Sequence, residues 1–135
     1  MSRKLKVFVV EKNKTDAMYL KLSLQKVKQA SLTFFSQPEN VLEHLAERPD
    51  IVICDSIWEE NDNLDFIKKI RRISTRTRFI IHASKHNINL IQSFQQAGIY
   101  KFIVKTEESY LPLKESLEEL AILIPVQEEL RRKDA

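Results

Sequence analysis

The sequence predicts an α/β fold in which five parallel strands alternate with five helices in a doubly wound (βα)5 sheet. Three observations carry that expectation. The run Ile51-Val52-Ile53-Cys54, bounded by Asp50 and Asp55, reads as a short strand buried on both faces, as parallel strands are. Two similar runs, Val7-Phe8-Val9-Val10 and Phe102-Ile103-Val104, end on Glu11 and Lys105. Between such runs lie stretches of helical spacing with short connections, the alternation that builds βα units.

The elements follow in order. Leu5 to Val10 is strand one. Asn13 or Thr15 caps a helix reaching about Lys28, with Ala17, Leu20, Leu24 and Val27 on one face. Leu32 to Phe35 is strand two. Ser36-Gln37-Pro38-Glu39 starts a helix, with serine as N-cap, proline early and glutamate three residues on. It runs to about Glu47, before Pro49. Ile51 to Cys54 is strand three, and Ser56 to Asn63 a polar loop. Leu64 to about Ile73 is a helix. Strand four runs from Arg78 to His82 or Ala83. Asn87 or Asn89 opens a helix to Ala97, and Gly98, the only glycine, suits its left-handed stop. Lys101 to Val104 is strand five. Leu111 to about Ile124 is the last helix, and Pro125 interrupts it. One domain, residues 1–125, is followed by a charged tail, residues 126–135, that forms at most a short helical extension. This leaves no room for an attached output domain.

Composition narrows the function classes. At 135 residues, 43% hydrophobic and 30% charged, the chain suits one globular domain. Its apolar runs are far short of a membrane span, and its N-terminus lacks a signal-peptide pattern. A single cysteine excludes an internal disulfide and points to a reducing, cytoplasmic setting. Cys54, inside a strand, reads as a small core residue. Residues 1–30 hold eight Lys/Arg against Glu11 and Asp16, while the rest holds fourteen against seventeen acids. That basic start reads as a solvated helix face or a dock for an acidic partner. No nucleic-acid-binding motif is present.

Ligands of open α/β sheets sit beyond the carboxyl ends of the strands. Glu11, Asp55 and Lys105 stand at three such ends and converge there. Asp55 is a candidate nucleophile and Lys105 a candidate cation for phosphoryl oxygens. Glu11, Asp55 and the backbone carbonyl of Ile57 supply a partial Mg²⁺ site. Lys12 weakens it, since a unit charge at ~4 Å is worth roughly 4 kcal/mol at an effective dielectric of ~20. Its ammonium either pairs with Asp55 or Glu11 in place of a metal, or extends into solvent. Glu59, Glu60 and Asp62 read as a solvated loop that could lend a ligand. Trp58 reads either as an anchor for a partner or as a cover for the site. His82 reads as a buried, hydrogen-bonded histidine. No zinc spacing, glycine-rich phosphate loop or nucleophile elbow is present.

In this order and spacing the residues resemble the receiver domain of two-component response regulators, over roughly residues 4–124. Val10-Glu11-Lys12-Asn13 matches the family's acidic pair in its first member. Ile51 to Asp55 matches the phosphoacceptor strand, and the spacing to Leu64-Asp65-Phe66-Ile67 follows without a gap. Gln96-Ala97-Gly98 and Phe102-Ile103-Val104-Lys105 match the approach to and course of strand five. The resemblance implies a flavodoxin-like sheet of order 2-1-3-4-5 and a phosphoacceptor at Asp55. It further implies a phosphoryl-binding Lys105 and switch positions at Ala83 or Ser84 and at Phe102. Lys12 replaces an acid that is a Mg²⁺ ligand in the family, Glu59-Glu60 stand where Pro-Gly is common, and Thr106 replaces a proline. The chain is therefore expected to be a stand-alone, bacterial, non-enzymatic phosphorelay protein. Its phosphodonor would be a histidine kinase or histidine phosphotransfer protein. It would signal through the face of helix four, strand five and helix five, which could also form a homodimer, without nucleic acid or membrane as partner. The rival readings are a degenerate receiver that binds partners without phosphorylation, a flavodoxin-like cofactor binder and an independent enzyme.

Overall fold

A computed structural model describes residues 3–55, 60–83 and 88–134, with the side chains of 60–63 and 88–90 outside the description. The elements are β1 (Leu5–Val10), α1 (Lys14–Leu24), β2 (Ala30–Phe35), α2 (Pro38–Leu42), β3 (Ile51–Cys54), α3 (Glu60–Ile73), β4 (Arg78–Ala83), α4 (Ile88–Gln96), β5 (Lys101–Val104) and α5 (Tyr110–Asp134). A 3₁₀ turn, Leu45–Glu47, lies between α2 and β3. All five strands are parallel, in the order β2-β1-β3-β4-β5.

Strand residues alternate between the two faces of a sheet, and here each face has its own core. Val7, Val9, Ile51, Ile53 and Ile80 pack under Leu20 and Leu24 of α1 and Leu113, Leu117 and Leu120 of α5. Phe8, Val10, Val52, Phe79 and Ile81 pack under Val41 of α2, Phe66, Ile67 and Ile70 of α3 and Phe94 of α4. With helices on both faces, the central strands have no polar side: Ile51, Val52, Ile53 and Cys54 are all buried. Among the described residues no helix is long and apolar enough to cross a membrane.

Several boundaries differ from expectation. Helix α1 stops at Leu24, although Val27 still packs in the core. Asn13 is its N-cap, accepting from the Asp16 backbone N–H at 2.9 Å. Helix α2 starts from Gln37 and not Ser36, without a side-chain cap, and it breaks after Leu42. Arg48, just before Pro49, takes a left-handed φ of 51°. Helix α3 begins at Glu60, so residues 60–63 are not loop. Gly98 has the expected left-handed φ of 74°, and the Arg71 guanidinium donates to the carbonyls of Ala97 and Gly98.

The largest difference lies in α5, which runs through Pro125 to Asp134. Pro125 has no N–H for the Ala121 carbonyl, which is why the sequence reads as interrupted there. Contacts beyond the proline hold the helix on. Glu128 accepts from Arg3, and Gln127 accepts from Arg78. Buried Ile124 docks the turn before it.

Candidate functional site

Register brings the site together. Val10 of β1 lies opposite Cys54 of β3, so Glu11 and Asp55 leave neighbouring strands side by side. Val104 of β5 lies opposite Ala83 of β4, so Lys105 leaves one strand further over. Its side chain must cross the end of β4 to reach them. The Lys105 Nζ lies 2.7 Å from Glu11 Oε1, 2.7 Å from Asp55 Oδ2 and 3.2 Å from Asp16 Oδ2. An ammonium has three donors, and all three are used.

Glu11 and Asp55 are each 4% exposed. The second Glu11 oxygen accepts from the Asn13 backbone N–H at 3.2 Å. Asp55 Oδ1 is buried and has no hydrogen-bond partner among the described residues. Three carboxylates share one ammonium, so each acid receives only part of its compensation. Burial raises the Glu11 carboxyl above the ordinary range, and the Asp55 charge adds to that, against the pull of Lys105. Burial works against the Lys105 ammonium, but the hydrogen bonds to Asp55 and Glu11 outweigh it and hold its pKa above the ordinary value. Burial beside Asp55 pushes the Cys54 thiol up to about 12, leaving it an inert core residue.

Asp16 escaped the sequence reading as a site residue. The available signal was an acid in the first turn of the helix that follows strand one, at the pole where the strands end. Lys12 follows the second of its two readings, extension into solvent. Its side chain is exposed and takes part in no ion pair among the described residues, so Lys105, not Lys12, holds the acids. Alternation explains this: Glu11 turns into the site, and the next residue turns out.

His82 is buried, as expected, with Nε2 2.8 Å from Ser109 Oγ. Ser109 donates its one proton to the Thr106 carbonyl, so Nε2 is the donor to Ser109, and Nδ1 is left as a buried acceptor without a partner among the described residues. Burial, with the Lys105 charge, lowers the His82 pKa to about 4. Ala83 is fully buried, and Phe102 is half-buried with its ring 5.9 Å from that of Phe94. Ile57, Trp58, Glu59 and Ser84 lie outside the described residues, as do the side chains of Glu60 and Asp62.

Among the described residues no three His, Cys, Asp or Glu side chains form a metal-binding group. Mg²⁺ does not require one, since it is commonly held by one or two carboxylates and several waters. Glu11 and Asp55 meet that lesser demand, and the unpartnered Asp55 Oδ1 is an acceptor free for such an ion.

The model of the response regulator receiver domain matches residues 7–113. A probable transcriptional regulatory protein, SgaR, of Hyphomicrobium methylovorum is 25% identical over 116 residues. That match covers 84% of this chain and 55% of SgaR, so the chain spans about half the length of this relative. The signal receiver domain of an HD domain-containing protein from Pseudomonas fluorescens Pf-5 has a similar fold, with a TM-score of 0.81 and 19% identity over 96% of this chain and 95% of that one. A response regulator from Thermotoga maritima aligns with a TM-score of 0.77 and 21% identity, over 87% of this chain and 98% of that one. With a receiver model matching most of its length and a sheet of matching topology, the chain belongs to the response regulator receiver domain family.

Proposed function

We propose that this receiver accepts a phosphoryl group on Asp55 from a phosphohistidine donor, a histidine kinase or histidine phosphotransfer protein. Receiver domains are signalling modules and not classical enzymes, and the chemistry asked of the chain is correspondingly small. A carboxylate oxygen of Asp55 attacks the phosphorus, the P–N bond of the donor breaks, and the leaving imidazole takes up a proton. The product is an acyl phosphate. The observation that carries this reading is the Asp55 carboxylate itself: one oxygen is held 2.7 Å from Lys105, and the other is buried without a partner among the described residues. Lys105 orients the nucleophile and afterwards offers its charge to a phosphoryl oxygen.

Receiver domains typically bind Mg²⁺ at the phosphorylation site. Here Glu11 and Asp55 would hold it, with the Ile57 carbonyl as the third protein ligand that the family pattern implies. Bound there, the ion would neutralise charge on the transferring phosphoryl oxygens. Output through protein contact agrees with the exposed Leu111, Ile122 and Val126 along α5.

Intact-mass measurement after incubation with a small phosphoramidate and Mg²⁺ tests the proposal. The expected result is one labile phosphoryl group on the wild type and none on Asp55→Asn. An unmodified wild type would instead favour a receiver that binds its partner without phosphorylation. Lys12, at the second acidic position of the family, is the observation in favour of that alternative.

A further inference from the structure

We propose that an arginine-lined hollow at the opposite pole of the sheet binds a small anion carrying two adjacent phosphoryl groups. The hollow has a volume of about 590 Å³, within the range of small-ligand sites. It lies where β3 and β4 begin, between the turn after α3 and the part of α5 beyond Pro125. Five arginines line it, Arg3, Arg48, Arg76, Arg78 and Arg131, against two acids, Asp50 and Glu128.

Both acids are taken by Arg3, which is paired to Asp50 through two 2.7 Å hydrogen bonds and also donates to Glu128. None of the other four arginines has a carboxylate partner among the ion pairs of the described residues. A second hollow of about 460 Å³ adjoins the first and shares Arg76, Arg78 and Arg131 with it. It adds Arg71 and has no acid in its lining.

Arginines near helix ends have a simpler explanation. Arg71 closes α3 and Arg131 closes α5, where a cation complements the helix dipole. That accounts for neither the Arg131 Nε nor Arg78, whose guanidinium donates to Gln127 but faces no carboxylate among the ion pairs of the described residues. Arg78 is a half-buried strand residue, and burial and the nearby Arg131 charge both lower its pKa. Arg131 Nε is buried and unbonded among the described residues. Two neighbouring guanidiniums that repel each other, one of them with an unbonded Nε donor, make a cradle suited to an anion. Planar guanidiniums match phosphoryl oxygens in paired hydrogen bonds. One phosphate monoester brings only about −1.5 to −2 charges, less than the first hollow leaves unmatched, so two phosphoryl groups are the better fit. Ile99 and Tyr100 flank the second hollow and offer an apolar wall to whatever the diphosphate carries.

Calorimetric titration of the full chain in EDTA, with inorganic pyrophosphate and with ADP as probes, tests the proposal. The expected result is saturable binding that the Arg76→Gln/Arg131→Gln double variant weakens at least tenfold. Asp55→Asn should leave it unchanged, which separates this site from the phosphoacceptor pole. Amide resonances of Ser74–Arg78 and Gly98–Tyr100 should move on binding, and those near Asp55 should not. Tighter binding of ADP would assign the diphosphate to a nucleotide; equal binding would assign it to the diphosphate alone. Heats no greater than those of sulfate at matched ionic strength, or binding unaffected in a folded double variant, would overturn the proposal.

Discussion

Replacing Lys105 by methionine should turn the site into a pH-dependent weak point of the fold. In the native chain the ammonium lies 2.7 Å from both Glu11 Oε1 and Asp55 Oδ2. Those two oxygens therefore stand no further apart than twice that distance. Without the cation, two buried carboxylates face each other at roughly 5 Å, a repulsion of about 3 kcal/mol at an effective dielectric of ~20. Breaking a buried ion pair by removing one partner costs a similar amount, roughly 3–5 kcal/mol. The variant has one escape, which is to bind a proton. Glu11, whose pKa burial and Asp55 already raise, is the group to take it. A carboxyl raised in the folded state binds more protons folded than unfolded, so stability is lost as pH rises through its folded pKa. Urea unfolding followed by circular dichroism should therefore show Lys105→Met destabilised by about 3 kcal/mol at pH 8 and by clearly less at pH 5. Adding Asp55→Asn to Lys105→Met should restore most of the loss, which gives the coupling directly. An equal loss at both pH values, or no rescue by Asp55→Asn, would show that Lys105 does not hold the two acids together.

Two further outcomes follow from single residues. His82 has its pKa lowered from 6.5 to about 4, so between those values the unfolded chain binds a proton that the folded chain refuses. Stability should fall as pH drops from 6.5 towards 4, by about 3 kcal/mol at the lower end, with His82→Leu flattening that slope and imidazole NMR shifts showing the ring neutral at pH 5. Pro125→Ala should restore an N–H for the Ala121 carbonyl and stabilise the chain by roughly 1–3 kcal/mol, read from the urea midpoint; no gain would mean that the helix there is bent around the proline without strain.

The sheet was legible because buried parallel strands leave a plain mark: short apolar runs ending on charged residues. Helix ends were legible where one residue settles the backbone, as Asn13 and Gly98 do. They were not legible where tertiary contacts override a local signal. Pro125 reads as a stop, and only the partners that Glu128 and Gln127 find in Arg3 and Arg78 show why the helix continues. Residues 60–63 read as loop because four polar residues carry no apolar spacing that would mark the first turn of a helix. Within the site, Glu11, Asp55 and Lys105 were visible as strand-end residues. Asp16 was not, because its place depends on how α1 leaves the sheet and not on its neighbours in sequence. For Lys12 the sequence left two readings open, because a residue adjacent to a site residue can turn into the site or away from it.

Asp16 also bears on how Lys105 could serve an arriving phosphoryl group. All three ammonium donors are engaged, so a phosphoryl oxygen must displace one of the present acceptors. The three contacts are unequal. Those to Glu11 and Asp55 are 2.7 Å long and end on side chains only 2% and 4% exposed. The third is 3.2 Å and ends on Asp16, whose side chain is 30% exposed. Releasing Glu11 or Asp55 would leave a buried carboxylate short of a partner, whereas water can replace the lost bond at Asp16. Asp16 is thus the contact that can yield. In the proposed reaction the acidic residue on α1 would keep the lysine satisfied at rest and give up its share at the least cost to a phosphoryl oxygen.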